Sequence, residues 1–493
     1  MKRIDWFYRL LILVMIFLVG RLIVLQVVDQ DYYRVLADEN RVKLEIIRAR
    51  RGVIYDRHGE MLVKNTAEGR EYVYGEAMSQ VLGYAGEISE EELKMCEEKD
   101  DCQFGLGDVI GKMGIEKEYD SSLRGEDGGV LVEQDAEGER LREIGRKEPV
   151  NGRDLSLTLD WGLQRKAYEL MAKEPGAVVA SDPMTGEILA LVSSPGFRPD
   201  KLEEFVNDKD LPMFNRAIGG EYPPGSVFKV VTAIGALEEG KVDEETEIED
   251  TGEILIGAYR FGNWYYDQYG RKEGRLEITR AIARSNDIFF YKLGEWLGMM
   301  ALSDWAKYFG LGSVTEIDLP GEANGLIPDP EWKEEFKGEQ WYLGDTYISA
   351  IGQGDILTTP LQVNQMMSVI AGGSKWCQPH LLKTDKDMCR RLDISQESLD
   401  LVTEGLKQVA ETGGTAWPLF DFKVKGERIY VAGKTGTAEF GDPKERTHAW
   451  FTGFAPLEKP NIVVTVLMEA AGEGSDKAAP IVKDLLSYWF NRQ

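Results

Sequence analysis

The chain has 493 residues, of which 43% are hydrophobic and 29% are charged. This balance is typical of a folded globular protein and argues against a largely disordered one, and the length allows two or three domains. The net charge of -27 at pH 7 argues against nucleic acid as a partner, because a phosphate backbone would be repelled.

An apolar segment follows the first few residues, and we predict that residues 7–28 form one membrane-spanning helix. Lys2 and Arg3 precede this segment, whereas Asp29 follows it. The positive-inside rule therefore predicts that residues 1–6 are cytoplasmic, with the rest of the chain outside and anchored in the cytoplasmic membrane. The segment lacks a following small-residue cleavage site, which favours an uncleaved signal-anchor over a removed signal peptide. A buried helix of a soluble domain is the alternative.

The next part of the chain, residues 29–152, is predicted to be an elongated, mostly β, non-catalytic pedestal domain. Residues 31–40 have a helical pattern, and alternating charged and apolar residues at 42–47 predict a strand. Residues 65–112 are polar, acidic and contain several glycines. This composition predicts a small head inserted between two parts of the pedestal.

The four cysteines form two locally close pairs, Cys96 with Cys102 and Cys377 with Cys389. A compartment outside the cytoplasm permits disulfides within both pairs, and free buried thiols are the alternative. The three histidines are scattered and Cys-x-x-Cys does not occur. The sequence therefore predicts neither a metal site nor a cofactor.

Residues 153–493 are predicted to form the second domain, because strands and helices alternate there. A strand at 155–159, a helix at 161–173 and a hairpin at 177–193 come first, and a helix at 479–490 comes last. This order predicts one sheet with helices packed on it. The elements predicted in between are at 226–238, 276–284, 287–298, 301–309, 361–371, 396–412, 430–439, 449–454 and 462–469.

Two prolines and a glycine interrupt regular structure between Tyr222 and Ser226. Apolar residues at helical spacing then predict a helix from residue 227 to 238. Lys229 lies one turn beyond Ser226 and can reach its hydroxyl, and the helix N-terminus would stabilise an oxyanion nearby. Ser226 is therefore a candidate nucleophile with Lys229 as its base. The alternative is that Ser226 caps the helix and Lys229 is solvated.

A second short motif contains Ser285 and Asp287 and directly precedes an apolar helix. Either residue could cap that helix through backbone N–H groups. The functional interpretation is that a hydroxyl and a carboxylate face Ser226.

A third motif consists of Lys434, Thr435, Gly436 and Thr437. In a strand, Lys434 and Gly436 would face one side and the two threonines the other, and the glycine would leave the backbone open to close approach. Such an edge can bind an extended peptide as an added strand, with hydroxyls and an ammonium for a carboxylate. A plain strand with a surface lysine is the alternative.

These three motifs, Ser-x-x-Lys, Ser-x-Asp and Lys-Thr-Gly, occur in the order typical of the penicillin-binding protein and serine β-lactamase superfamily. Residues 51–59 also resemble the RGxIxDRxG element of class B penicillin-binding proteins, and residues 222–229 resemble their YPPGSxFK motif. The resemblance covers nearly the whole chain and is strongest from residue 154 onward. Segments similar to the elongation-type members are at 309–312, 318–322, 341–346, 351–354 and 359–362.

The resemblance implies an α+β/α/β architecture. A single N-terminal transmembrane helix is followed by the pedestal and by a penicillin-binding transpeptidase domain. That domain has a central antiparallel sheet sandwiched by helices, together with an all-helical subdomain. The implied activity is that of a D,D-transpeptidase, which cross-links peptidoglycan stem peptides during cell-wall elongation without a cofactor.

The resemblance also implies roles for the motif residues. Ser226 would form the acyl-enzyme with Lys229 as general base, Ser285 would pass a proton to the departing D-Ala, and Asp287 would position Lys229. β-Lactams would acylate Ser226 in place of the D-Ala-D-Ala donor. The expected substrate-binding residues are Lys434, Thr435, Gly436 and Thr437, with the N–H groups of Ser226 and Thr437 as oxyanion hole.

The family implies further partners, and two features depart from its pattern. The expected partners are a membrane glycosyltransferase of the shape, elongation, division and sporulation type and other elongation-complex proteins.

The insertion at 65–112 is short for the family. The carboxylate of Asp287 favours a charged Lys229, so a proton relay through Ser285 is expected. A D,D-carboxypeptidase or β-lactamase-like hydrolase and a non-catalytic scaffold are the alternative functions.

Overall fold

A computed structural model describes residues 2–67, 69–98, 102, 104–135 and 137–492 of the chain. The chain divides into two compact units, one of residues 1–52 and 121–153 and the other of residues 53–120 and 154–493. Residues 53–120, which include the whole range predicted for the head, 65–112, thus group with the C-terminal part. The predicted domain boundaries are distinct from this grouping and stay predictions.

The first unit begins with the predicted apolar helix. The α-helix Lys2–Ile23 continues as a π-helical turn, Val24–Val28, and the helix Gln30–Arg41 follows. Residues 4–28 are apolar over a length that suffices to cross a membrane.

The first unit also contains a three-stranded antiparallel sheet, in agreement with the predicted β character. Its strands in spatial order are Val42–Ile47, Gly128–Gln134 and Arg140–Lys147. Val130 and Val132 are buried on the middle strand. The predicted strand at 42–47 therefore has the bounds that alternation indicated.

The second unit contains two small sheets before the main one. Strands Gly69–Tyr72, Met61–Thr66, Ile54–Tyr55 and Leu155–Ser156 form one, and strands Tyr84–Glu87 and Val109–Met113 form the other. Both cysteine pairs are disulfides, Cys96–Cys102 and Cys377–Cys389. The α-helices of this part are Ser79–Leu82, Glu90–Glu97 and Gly114–Glu118, whereas four of the five residues of the helix Asp120–Arg124 belong to the first unit.

A five-stranded antiparallel sheet is the centre of the second unit. We number its strands β1 (Gly176–Ser181), β2 (Ile188–Ser194), β3 (Ala432–Glu439), β4 (Thr447–Ala455) and β5 (Ile462–Met468). Their spatial order is β2-β1-β5-β4-β3, so β3 is an edge strand. β1, β2 and β5 are buried along their whole length, because helices flank the sheet.

The helices of this unit largely match the sequence patterns. The helix Trp161–Met171 ends where Ala172 adopts a left-handed conformation, and the last helix is Ala478–Arg492. Between residues 154 and 492, patterns missed four described helices, because none is longer than eight residues and so short a segment shows little helical periodicity. They are Arg216–Gly219, Trp264–Tyr269, Pro330–Lys337 and Leu343–Ala350. The other predicted helices are Lys229–Glu238, Ile278–Arg284, Asp287–Leu297, Met299–Tyr308, Pro360–Ala371 and Gln396–Val409.

The minor elements complete the unit. A short helix, Arg216–Gly219, precedes the Ser226 turn. The two-stranded sheets pair Ile248–Glu249 with Arg275–Leu276, Glu253–Ile256 with Tyr259–Gly262, Lys375–Cys377 with Cys389–Arg391, and Lys423–Val424 with Glu427–Arg428.

Candidate active site

The turn that carries Ser226 packs closely on its surroundings. Gly225 has a φ of 56°, which glycine adopts without a Cβ penalty, and its N–H donates to Gly352 O at 2.8 Å. A 3-10 turn, Gly225–Phe228, then leads into the α-helix, which begins at Lys229 rather than at the predicted residue 227. Ser226 is half-buried and does not cap this helix. The capping alternative for Ser226 is therefore wrong.

The Lys229 side chain is fully buried, with 0% exposure. Its Nζ donates to Ser285 O at 2.8 Å, to Ser285 Oγ at 3.2 Å and to Asp287 Oδ1 at 2.7 Å. Among the residues that the structure describes, no hydrogen bond joins Lys229 Nζ to Ser226 Oγ. Lys229 is thus hydrogen-bonded to both residues of the second motif rather than to Ser226 of its own motif. Because its side chain is buried, the alternative of a solvated Lys229 is wrong.

Ser285 and Asp287 owe their positions to an abrupt change of direction between two helices. Ser285 follows the helix Ile278–Arg284 with a φ of 54°, and Asn286 caps the next helix by accepting the N–H of Phe289 at 2.9 Å. The cap is thus Asn286, and the predicted capping by Ser285 or Asp287 is wrong. Because Asn286 caps the helix, the Ser285 hydroxyl and the Asp287 carboxylate are available to bond with Lys229.

Two residues at the N-terminal end of the helix Trp264–Tyr269, Asn263 and Trp264, hold Asp287 in place. Its Oδ2 accepts the backbone N–H of Trp264 at 2.9 Å, and its own N–H donates to Asn263 Oδ1 at 3.1 Å. The carboxylate therefore uses one oxygen for Lys229 and the other for the backbone.

The third motif lies on β3, beside the Ser226 turn. Lys434 has 0% exposure and its Nζ donates to Thr435 O at 3.0 Å, so the surface-lysine alternative is wrong. A side chain at Gly436 would place its Cβ 3.1 Å from Pro224 O. The absence of a side chain there is what allows the turn to approach the strand.

The two threonines of β3 have different environments. Thr435 is buried and its hydroxyl is 2.6 Å from that of Thr415, whereas Thr437 is exposed. Thr437 O accepts a 3.3 Å hydrogen bond from Gln353 Nε2. The predicted site residues therefore meet where the Ser226 turn, the Ser285 loop and β3 come together.

Burial dominates the electrostatics of the two lysines. It lowers the pKa of Lys229 below the usual 10.5, although the charge of Asp287 and its hydrogen bond oppose this change. Burial also lowers the pKa of Lys434 well below 10.5, and the nearby charge of Lys229 adds to the effect while Asp287 opposes it. Burial thus favours the neutral form of both amines, whereas Asp287, which is hydrogen-bonded to Lys229, opposes this effect at both.

Sequence patterns did not assign Thr415, Trp264, Asn263 or Gln353 to the site. Gln353 lies in a segment, 351–354, that resembles the family but suggested no role for it. Thr415 follows two glycines, which indicate a turn but not its location. Within the described ranges, no cluster of three or more histidine, cysteine or acidic side chains could hold a metal ion.

Comparison with known families identifies the domain that contains this site. Residues 176–487 match the penicillin binding protein transpeptidase domain, which is well over half of the chain. The chain belongs to the penicillin-binding proteins. This penicillin-binding protein also matches the penicillin-binding protein dimerisation domain at residues 65–157. The family predicted from the three motifs is therefore confirmed.

Relatives and solved structures agree with this assignment. The peptidoglycan D,D-transpeptidase MrdA of Acinetobacter baumannii is 31% identical, over 99% of this penicillin-binding protein and 87% of that relative. The crystal structure of Pseudomonas aeruginosa PBP2 in complex with WCK 5153 has a TM-score of 0.80 at 33% identity, covering 91% of this chain and 96% of that one.

A third similar chain comes from a study entitled "Structural coordination of polymerization and crosslinking by a peptidoglycan synthase complex". It has a TM-score of 0.80 at 28% identity and covers 99% of this chain and 98% of that one. The match extends over the N-terminal apolar helix, which fits a membrane-anchored member of the family.

Proposed function

We propose that this chain is a serine-type peptidoglycan D,D-transpeptidase that cross-links stem peptides during cell-wall elongation through an acyl-enzyme on Ser226. The observation that carries the proposal is the buried cluster of Lys229, Ser285 and Asp287, next to the Ser226 turn and to β3. The relationship to MrdA supports the substrate class.

Acylation begins when Ser226 Oγ attacks the carbonyl carbon between the two terminal D-alanines of a donor peptide. Lys229 accepts the hydroxyl proton, which requires a neutral amine, and its burial acts in that direction. Ser285 Oγ, 3.2 Å from Lys229 Nζ, gives its proton to the nitrogen of the departing D-Ala and receives the proton that Lys229 took from Ser226, so Lys229 is neutral again. The C–N bond breaks, and the donor stays attached to Ser226 as an ester.

The oxyanion of the tetrahedral intermediate would be bound by two backbone N–H groups, those of Ser226 and Thr437. The close approach of Gly225 to Thr437, and of Gly436 to Pro224, supports this role because it brings the turn and the strand together. A fixed pair of donors stabilises developing charge without reorganisation during the reaction.

Lys434, Thr435 and Thr437 would hold the terminal carboxylate of the donor. The donor peptide pairs with β3, whose outer edge has no neighbouring strand among the residues that the structure describes. Gln353 would have to release Thr437 O if the donor backbone uses that carbonyl. An amine of a neighbouring stem peptide then attacks the ester and restores Ser226, and β-lactams imitate the donor.

We also propose the membrane arrangement and partners of the protein. Residues 1–6 are cytoplasmic, 7–28 cross the cell membrane, and the pedestal at 29–152, its head at 65–112 and the transpeptidase domain at 153–493 are outside. Charge asymmetry around the apolar helix supports this orientation. A glycosyltransferase of the shape, elongation, division and sporulation type is the proposed partner, supported by the solved relative from a peptidoglycan synthase complex.

The decisive experiment labels the full-length protein with penicillin and locates the adduct by mass spectrometry. We expect the adduct on Ser226, its loss in Ser226→Ala, and its retention in Ser487→Ala, which removes a hydroxyl from the C-terminal helix. An adduct on another residue would contradict the proposal. Release of D-Ala without cross-linked dimers in the presence of acceptor would favour a carboxypeptidase instead.

A further inference from the structure

A buried indole connects the Ser226 turn to the strand beside it. Trp450 lies on β4, opposite Gly436 of β3, and is fully buried. Its Nε1 donates a 3.0 Å hydrogen bond to Pro223 O, three residues before Ser226. The indole thus joins the backbone that carries the nucleophile to the strand pair that carries Thr437.

The turn and β3 also approach each other closely at two glycines. A Cβ at Gly436 of β3 would lie 3.1 Å from Pro224 O of the turn, and a Cβ at Gly225 of the turn would lie 2.9 Å from Thr437 O of β3. Because these contacts are already close, the turn and β3 cannot move nearer to each other. A hydrogen bond that keeps them from moving apart is then sufficient to fix the distance between them. The hydrogen bond of Trp450 has this effect.

The indole is itself held in place. The Tyr222 ring packs edge-on against it at 6.3 Å between centroids, and the Tyr222 hydroxyl donates to Glu469 Oε1 at 2.6 Å. Arg216 Nε donates to the same oxygen at 2.8 Å. Because an indole has a single N–H donor, its orientation determines where Pro223 O is held.

We propose that Trp450 is a positioning residue of the transpeptidase. Its N–H holds the Ser226 turn against β3 so that the backbone N–H groups of Ser226 and Thr437 point at one oxyanion. This inference rests on the proposed function. Trp450 touches no substrate atom, and its effect is confined to the tetrahedral state because both N–H groups are aimed at charge that appears only there.

Two replacements at this position, in the full-length protein in detergent, test the proposal. Trp450→Phe removes the N–H and part of the ring, whereas β-(3-benzothienyl)alanine at residue 450 replaces the N–H by sulfur and keeps the shape. For both, the first-order acylation constant with benzylpenicillin should fall about 10-fold to 100-fold. The dissociation constant of the non-covalent complex should change by less than about twofold.

A boronic acid provides a second readout, because it forms a tetrahedral adduct with Ser226. Its affinity should fall by a factor similar to that of the acylation constant, which a general loss of stability would not produce. The matched control is Trp489→Phe, which removes an indole hydrogen bond of 3.1 Å to Asn461 Oδ1. That variant should acylate at the wild-type rate.

The outcomes separate the possibilities. Wild-type acylation constants in both Trp450 replacements would overturn the proposal, as would losses that merely follow a lowered melting temperature with unchanged boronic acid affinity. If Trp450→Phe does not fold, the benzothienyl variant decides alone. Failure of the proposed function is distinguishable, because the unaltered protein would then carry no adduct on Ser226.

Discussion

Replacing Asp287 by asparagine perturbs the cluster at its most strongly coupled contact. Asp287 Oδ1 accepts from Lys229 Nζ at 2.7 Å and Oδ2 accepts from the backbone N–H of Trp264 at 2.9 Å. Asparagine has one oxygen, so it can satisfy Trp264 only by turning its NH₂ group toward Lys229. A charged Lys229 would then face another donor, whereas a neutral Lys229 could accept from it.

The size of the effect follows from the geometry. Two unit charges 2.7 Å apart attract by about 6 kcal/mol at an effective dielectric constant of about 20. Desolvation of Lys229 cancels much of this attraction, and removing one partner of a buried pair costs about 3–5 kcal/mol of stability. Because Lys229 keeps two hydrogen bonds to Ser285, we expect a loss of about 3 kcal/mol near neutral pH.

The loss should shrink as pH rises. Burial already lowers the pKa of Lys229 below 10.5, and without Asp287 this pKa falls further. Between the lowered pKa and 10.5 the unfolded chain binds more protons than the folded one, so the free energy of unfolding increases with pH. Activity should also depend on this pKa, because Lys229 must be neutral to act as general base. The acidic limb of the acylation rate should therefore move to lower pH in Asp287→Asn.

Urea unfolding of the full-length protein in detergent at about pH 6 and about pH 9 measures how the loss of stability depends on pH. Penicillin acylation across the same pH range measures the shift of the acidic limb. Asp304→Asn, which neutralises an exposed carboxylate on the helix Met299–Tyr308, is the control and should change neither. An equal loss at both pH values, together with an unshifted acylation profile, would refute the coupling between Asp287 and the Lys229 proton.

Two other substitutions test the neighbouring contacts. Gly436→Ala places a Cβ 3.0 Å from Trp450 Cβ, and such overpacking should cost about 1–3 kcal/mol and slow acylation, as measured by melting temperature and penicillin kinetics. Thr415→Val removes the 2.6 Å hydrogen bond to Thr435 Oγ1. It should weaken non-covalent β-lactam binding by about 1 kcal/mol in titrations, because Thr435 loses its orienting partner; an unchanged dissociation constant would contradict that role.

The apolar N-terminal helix and the strand at 42–47 were predictable from local pattern, and the family, with its central antiparallel sheet, was predictable from the order of the motifs. Ser285 illustrates what was not predictable. Its left-handed conformation and the capping by Asn286 decide that Lys229 bonds to the Ser285 carbonyl as well as its hydroxyl. That arrangement depends on how two helices pack, which spacing alone does not encode.

The contacts of Thr415 and Trp264 show the same limit. Thr415 lies 20 positions before Thr435, and Trp264 lies 23 positions before Asp287. Both pairs meet only after the chain has folded, and neither residue type indicates a partner. Long-range contacts of this kind require the tertiary structure.

The position of β3 at the edge of the central sheet has a consequence for solubility. A strand edge with unpaired backbone groups is a template for pairing with other chains. If β3 binds the donor peptide as proposed, this edge has to stay uncovered. The strand is only eight residues long, and the net charge of -27 makes copies of the protein repel one another. Near the isoelectric point of about 4.7 that repulsion vanishes, so self-association through this edge is expected to be strongest in acid.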